Sequence, residues 1–172
     1  MATPFPILKT ERLHLREINL SDVDRIHYFR SDEEITKFIK RREPQTFETA
    51  VAHITNISSQ LKKNQSITWG ITLQDSIELI GSICLWNFSE DKKTAEVGYD
   101  LDPKFQGKGF MSETLKAVLN YGFTERGFET IVAYTDYRNT PSKNLLKRFG
   151  FIPSCTIKDI DNQNNEVFYL NR

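Results

Sequence analysis

Along residues 96–101 apolar and polar positions alternate. Val97, Tyr99 and Leu101 fall on one side of an extended chain and Glu96, Gly98 and Asp100 on the other, which predicts a half-buried strand stopped by Pro103. From Met111 the period lengthens: Met111, Leu115, Val118, Leu119 and Phe123 recur at helical spacing, with Gly127 placed as a C-cap. The same two periods order the rest of the chain. Leu13 and Leu15 alternate with Arg12, His14 and Arg16 in a first strand, and Val23, Ile26 and Phe29 follow a cap at Ser21 or Asp22 in a helix to about Ser31. Thr46 caps a second helix carried by Val51, Ile54, Ile57 and Leu61 and ending near Asn64. Strands at 66–73 and 78–88 flank a polar turn at 74–76, and a turn at 89–93 leads into the central strand, which makes an antiparallel meander.

Residues 130–135 are a nearly continuous apolar run, as in a strand covered on both faces. A strand, a helix and a strand make a right-handed crossover, so this run should lie parallel to the strand at 96–101. Thr140 as N-cap, Pro141 in the first turn and Gly150 as the stop bound a last helix. Residues 151–159 and 166–170 then close the sheet across a polar hairpin loop at 161–165. The expectation is one α+β domain over residues 1–172, with a mixed central sheet of about seven strands and four helices.

Between the central strand and its helix lies Gln106-Gly107-Lys108-Gly109-Phe110-Met111. Two glycines one residue apart let the backbone turn tightly and approach a ligand, and the amides that open the helix carry partial positive charge. Such a loop is an anion cradle for a phosphate; its alternative reading is a turn and helix cap. The chain has no GxxxxGK[ST], and no GxGxxG, because Ser112 stands three residues after Gly109.

Composition narrows the choice of partner. The 172 residues carry 23 acidic and 23 basic side chains, so no global field points to nucleic acid or membrane, and a charged cosubstrate would have to be held locally. Cys84 and Cys155 are too far apart for a disulfide framework or zinc site and read as reduced core thiols. No His, Cys or carboxylate cluster is spaced for a metal. His14 and His27 read as polar-face residues, and Trp69 and Trp86 as core aromatics. No apolar run approaches a membrane span and no signal-like segment follows Met1, which makes the cytoplasm the expected compartment. The basic triplet Lys40-Arg41-Arg42 reads as a solvated loop.

Two motifs in order on this frame carry a resemblance. Lys104-Phe105-Gln106-Gly107-Lys108-Gly109 resembles the acetyl-CoA signature Q/R-x-x-G-x-G/A of the GNAT superfamily of N-acetyltransferases, with Lys in place of the first Gln or Arg. About thirty residues on, Asn139 and Ser142 followed by Gly150-Phe151 are similar to its second signature, and Thr10 to Glu17 resembles the opening of the branch that acetylates the N-termini of ribosomal proteins. The resemblance implies a fold whose two central parallel strands splay at the cofactor, and direct transfer of acetyl from acetyl-CoA to a primary amine, preferably a protein N-terminal α-amine. Its alternatives are a small-molecule amine such as a polyamine, amino acid or aminoglycoside, and an acetyl-CoA-binding regulator without chemistry.

The same resemblance assigns roles. Glu96 becomes the base, acting through water, and backbone amides near Tyr99 to Leu101 would polarise the thioester carbonyl. Gln106, Gly107, Lys108, Gly109, Phe110 and Met111 would take the pyrophosphate, with Lys108 as a point charge, and Asn139 the pantetheine arm. The acid of many superfamily members is a Tyr four residues before the glycine of the GF pair, where this chain has Leu146; Ser142 takes that role here, with Tyr137 as the outside candidate. Residues 32–44 would help line the acceptor groove, where the basic triplet could greet an acidic substrate, and a homodimer could form by pairing of an exposed terminal strand at 166–170.

Overall fold

The strand alternation builds one sheet of eight strands in the computed structural model, which describes residues 4–40 and 45–172. Arg41 and Arg42 of the basic triplet, and the end of the expected acceptor segment, lie outside the described residues. The strands are β1 (Leu8–Lys9), β2 (Leu13–Glu17), β3 (Ile67–Leu73), β4 (Leu79–Trp86), β5 (Thr94–Leu101), β6 (Thr130–Asp136), β7 (Ile152–Pro153) and β8 (Asn165–Asn171). The helices are α1 (Val23–Ser31), α2 (Glu33–Thr36), α3 (Phe47–Lys62), α4 (Phe110–Thr124) and α5 (Thr140–Arg148). The spatial order is β1-β2-β3-β4-β5-β6-β8-β7. Among the described residues only β5 and β6 pair in parallel, joined by α4 as the crossover rule requires.

Alternate residues of the inner strands bury one face. Trp69, Ile83, Leu85, Val97 and Leu101 pack with Leu115, Leu119, Leu145 and Leu146 from α4 and α5. A second cluster joins Ile26 and Phe29 of α1 to Ile54 and Ile57 of α3. Trp69 is fully buried, and its indole N–H donates to the Pro6 carbonyl at 2.6 Å.

Several local expectations give way to tertiary contacts. The extra helix, α2, is one turn held by Asp32, whose side chain accepts from the Ile35 N–H at 3.1 Å; four residues are too few to show a period. Ser21 and Asp22 do not cap α1 through their side chains. Asn19 caps a 3-10 turn ahead of it, and the Asp22 carboxylate is taken by the Arg16 guanidinium at 2.8 and 2.9 Å. At α5 the N-cap is Asn139, not Thr140, because the Asn139 side chain accepts from the Ser142 N–H at 3.2 Å.

The closing hairpin is also shorter than its sequence suggests. Ser154 and Asp159 accept main-chain N–H groups of residues 156–157 and 161–162, a local alternative to a strand ladder, so β7 is two residues long and residues 154–164 form a loop. Cys155, on that loop, is exposed rather than a core thiol. β8 is an inner strand between β6 and β7, so residues 166–170 are not the free edge expected for pairing with a second copy.

Asp102 follows β5 and is 2 % exposed. Its carboxylate accepts the Arg25 guanidinium at 2.7 Å and the Lys104 N–H at 2.9 Å. Burial pushes this carboxyl up, but the Arg25 and Lys104 bonds and the nearby positive charge outweigh it and hold it below its ordinary value. A depressed carboxylate stabilises the fold above its unfolded pKa, and that contribution is lost as pH falls through the folded value. Asp102→Ala is therefore expected to lower unfolding free energy by about 2–4 kcal/mol and to flatten the acid limb of the stability curve, read by urea denaturation between pH 3 and 7.

Candidate active site

Parallel pairing of β5 with β6 runs from Thr94–Thr130 to Val97–Ala133 and stops there, although β5 continues to Leu101 and β6 to Asp136. Beyond Val97 the two strands part, and a cleft of about 1620 Å³ opens along the gap. The gap is also where the two faces of the sheet communicate. On one face stand Glu96, Gly98 and Asp100 of β5 beside Ser82, Cys84 and Trp86 of β4; on the other lie Tyr99 and the starts of α4 and α5.

The loop into α4 is built to leave amides free. Gly107 and Gly109 have φ of +71° and +79°, a region side chains disfavour, and a Cβ on Gly107 would meet nothing within 4 Å. Gly109 is the N-cap, and the first α4 bond runs from the Glu113 N–H to the Gly109 carbonyl at 3.0 Å, so the amides of Phe110, Met111 and Ser112 have no intrahelical acceptor. The Gln106 side chain donates to the Leu101 carbonyl at 2.9 Å and ties the loop back to β5.

A clamp that sequence reasoning missed holds this loop from the turn leading into β2. Arg12 donates through Nη1 to the Lys108 carbonyl at 3.0 Å and through Nε to Glu113 at 2.7 Å, with its guanidinium 4.4 Å above the Phe110 ring. Glu113 also accepts the Arg12 N–H at 2.8 Å and the Thr10 hydroxyl at 2.6 Å. These residues are about a hundred positions apart, and no local pattern joins them. Lys108 turns its Nζ to the Lys104 carbonyl at 2.8 Å and does not line the cleft, so the cradle offers main-chain donors.

Glu96 faces the other side. Burial pushes its carboxyl up to about 7, with the Asn87 amide, 3.4 Å away, pulling it down and the Asp159 charge pushing it up. Trp86 is its register partner across the β4–β5 ladder and is 44 % exposed on the cleft wall rather than in the core. Between them Gly98 leaves a notch: a Cβ there would lie 3.8 Å from the indole nitrogen and 3.4 Å from the Cys84 sulfur. Burial pushes the Cys84 thiol up to about 12, which leaves it protonated and unreactive at neutral pH. The loop after β7 brings Lys158, Asp159 and Ile160 to this mouth, and Lys40 Nζ reaches the Asp161 carbonyl across it at 3.3 Å.

Ser142 sits in the first turn of α5, with its hydroxyl 2.8 Å from that of Tyr99. Asn139 lines the cleft beside it. Leu146 is fully buried against the cleft and has no proton to give. Tyr137 is 53 % exposed and lies away from the cleft lining. The gap thus collects Glu96, Tyr99, Leu101, Gln106, Gly107, Gly109, Phe110, Met111, Asn139 and Ser142, from β5, α4, the start of α5 and one loop, and leaves out Lys108 and Tyr137.

Comparison with known proteins matches residues 12–152 to the acetyltransferase (GNAT) domain family. The chain is 32 % identical to the uncharacterized N-acetyltransferase YoaA of Bacillus subtilis (strain 168), over 97 % of this chain and 94 % of that protein. It is 29 % identical to the ribosomal protein uS5 alanine N-acetyltransferase of Escherichia coli (strain K12), over 88 % of this chain and 81 % of the other. Among solved structures, RimL, the ribosomal L7/L12 alpha-N-protein acetyltransferase in complex with coenzyme A, superposes with a TM-score of 0.82 at 20 % identity, covering 96 % of this chain and 98 % of RimL, a likeness of fold.

Proposed function

This chain belongs to the acetyltransferase (GNAT) family, and from that premise we propose that it is an acetyl-CoA-dependent N-acetyltransferase whose preferred acceptor is a protein N-terminal α-amine. The observation that carries the reading is the convergence, at one gap in the sheet, of a raised carboxyl on one face and free amides with a hydroxyl on the other. A thioester in the gap would meet an amine from the Glu96 side and release its sulfur toward the Ser142 side.

The residues present fit acetyl-CoA. The amides of Phe110, Met111 and Ser112, beside glycines whose missing side chains leave open space, suit a diphosphate, and Asn139 suits the pantetheine amides. The main-chain N–H groups of Tyr99 and Leu101, beyond the last parallel pair with β6, are the ones we assign to the carbonyl oxygen. When bound, acetyl-CoA supplies an acyl group activated as a thioester. Glu96 takes the proton that the attacking nitrogen sheds, directly or through one water, and Ser142 donates a hydrogen bond to the departing sulfur.

The amine's own ionisation favours one class of acceptor. An α-ammonium group near ~8 gives up its proton about 3.3 kcal/mol more readily than a lysine near ~10.4, whatever base receives it, and the raised Glu96 carboxyl lowers the cost for both. The match to a ribosomal protein alanine N-acetyltransferase supports the same acceptor and a cytoplasmic site of action.

Release of free thiol from acetyl-CoA over a panel of peptides, lysine derivatives, polyamines and aminoglycosides tests the reading. Peptides with a free N-terminus should turn over fastest. Faster turnover of polyamines or blocked-N-terminus lysine peptides overturns the acceptor assignment, and no thiol with any amine overturns the enzyme. Trp86→Ala, which removes the wall opposite Glu96, is expected to raise the acceptor KM about tenfold with the acetyl-CoA KM unchanged, measured by the same assay.

A further inference from the structure

Tyr99 and Ser142 meet from opposite banks of the strand gap. Tyr99 points from β5 to the side of α4 and α5, and its phenolic oxygen lies 2.8 Å from the Ser142 hydroxyl. The Ser142 main-chain N–H is already engaged by Asn139, so the hydroxyl is the one polar group Ser142 has left for the cleft. Each hydroxyl has one hydrogen and two lone pairs, and which atom donates decides what the serine can do.

The phenol is the more acidic partner and therefore the better donor. If Tyr99 donates, Ser142 accepts, and the serine hydrogen is free to turn into the gap. If Ser142 donated instead, its hydrogen would be spent on Tyr99 and none would face the cleft. Burial pushes the phenol up to about 12, with the serine contact pulling the other way, so Tyr99 keeps its proton throughout the neutral range. It works as a fixed donor, not as a source of protons.

We propose that Tyr99 is a positioning residue: its hydroxyl donates to Ser142 and so turns the Ser142 hydrogen toward the sulfur that departs from a bound thioester, and the Ser142 hydroxyl stabilises that sulfur as a thiolate without transferring a proton to it. The inference rests on the acetyltransferase reading above. In the step served, the amine nitrogen bonds to the acyl carbon and the carbon–sulfur bond breaks with its electron pair left on sulfur. The proton lost by nitrogen goes to Glu96. A thiol with a pKa near ~8.5 is a stable anion for long enough to take its proton from solvent, so a hydrogen bond suffices. The start of α5, where Ser142 stands, adds the positive end of a helix dipole on the same side.

The test compares Tyr99→Phe, Ser142→Ala and the double variant in thiol release, with coenzyme A binding by calorimetry and thermal melting as controls. Tyr99→Phe is expected to lower kcat about tenfold with unchanged acetyl-CoA KM and coenzyme A affinity. The double variant should be no slower than Ser142→Ala alone, and wild-type kcat should show no descending limb between pH 7.5 and about 10. A Tyr99→Phe penalty that persists in the Ser142→Ala background, an unchanged kcat, or a loss confined to KM would each overturn it. A silent Ser142→Ala overturns both roles while leaving the acetyltransferase intact, whereas a wild type that releases no thiol with any amine removes the reading on which both stand. Should Tyr99→Phe melt well below the wild type, Tyr99→Ala with phenol added back gives the second measurement, and failure of the phenol to restore kcat counts against the proposal.

Discussion

Glu96→Gln is expected to lower kcat by about 10²–10⁴-fold while leaving acetyl-CoA binding unchanged. The variant keeps the shape and the Asn87 contact but cannot hold a proton taken from nitrogen. The pH profile makes the prediction specific. A base works only without its proton, so wild-type kcat should fall as pH drops through about 7, the value to which burial lifts this carboxyl, and level off above it. The acceptor's own ionisation near ~8 acts mainly on kcat/KM, so kcat under saturating substrates is the quantity to follow. The limb near 7 should vanish in the variant. A profile unchanged by the substitution assigns that ionisation, and the base, to another group.

Gly109→Ala is expected to weaken coenzyme A binding at least about tenfold and to destabilise the fold by about 1–2 kcal/mol. Two causes act together. The residue holds φ at +79°, where a side chain is strained, and it sits in the cradle itself, so relief of that strain moves the amides that serve the ligand; its Cβ would only touch Arg12 Nη2, at 3.4 Å. Gly127→Ala separates them: that glycine has φ of +71° and open space around it, after α4 and away from the cleft, so it should share the loss of stability and spare the ligand. Calorimetric titration of both variants with coenzyme A, alongside denaturant unfolding, reads the comparison. Equal affinities in wild type and Gly109→Ala would remove the loop as the diphosphate site.

Much of this architecture was legible before any coordinate. The alternation of Val97, Tyr99 and Leu101 with Glu96, Gly98 and Asp100 corresponds to the buried and cleft-facing sides of β5, because period-two patterns are written by which face meets the core. The run at Thr130 to Thr135 does lie parallel to it. Elements of two to four residues, β1 and α2, escaped notice because they are shorter than the period that would reveal them, while β7 keeps two residues of a strand expected to be longer. Trp86 was misplaced for a different reason: an aromatic in a strand reads as core until its register opposite Glu96 puts it on the cleft-facing side.

The site divides along the same line. Gly107, Gly109, Asn139 and Ser142 announce themselves locally, since left-handed turns and helix starts demand particular residues next to one another in the chain. The clamp of Arg12 and Thr10 on Glu113, the contact of Tyr99 with Ser142, and the environment that lifts Glu96 do not, because each depends on a distance between residues far apart in sequence. By itself the sequence determined the order of strands and helices, the glycine turn and the faces on which its polar residues stand. Only the tertiary structure decided where β5 and β6 part, which side chains meet across that gap, and how strongly each holds its proton, because separation, burial and hydrogen-bond partners exist only once the chain has closed on itself.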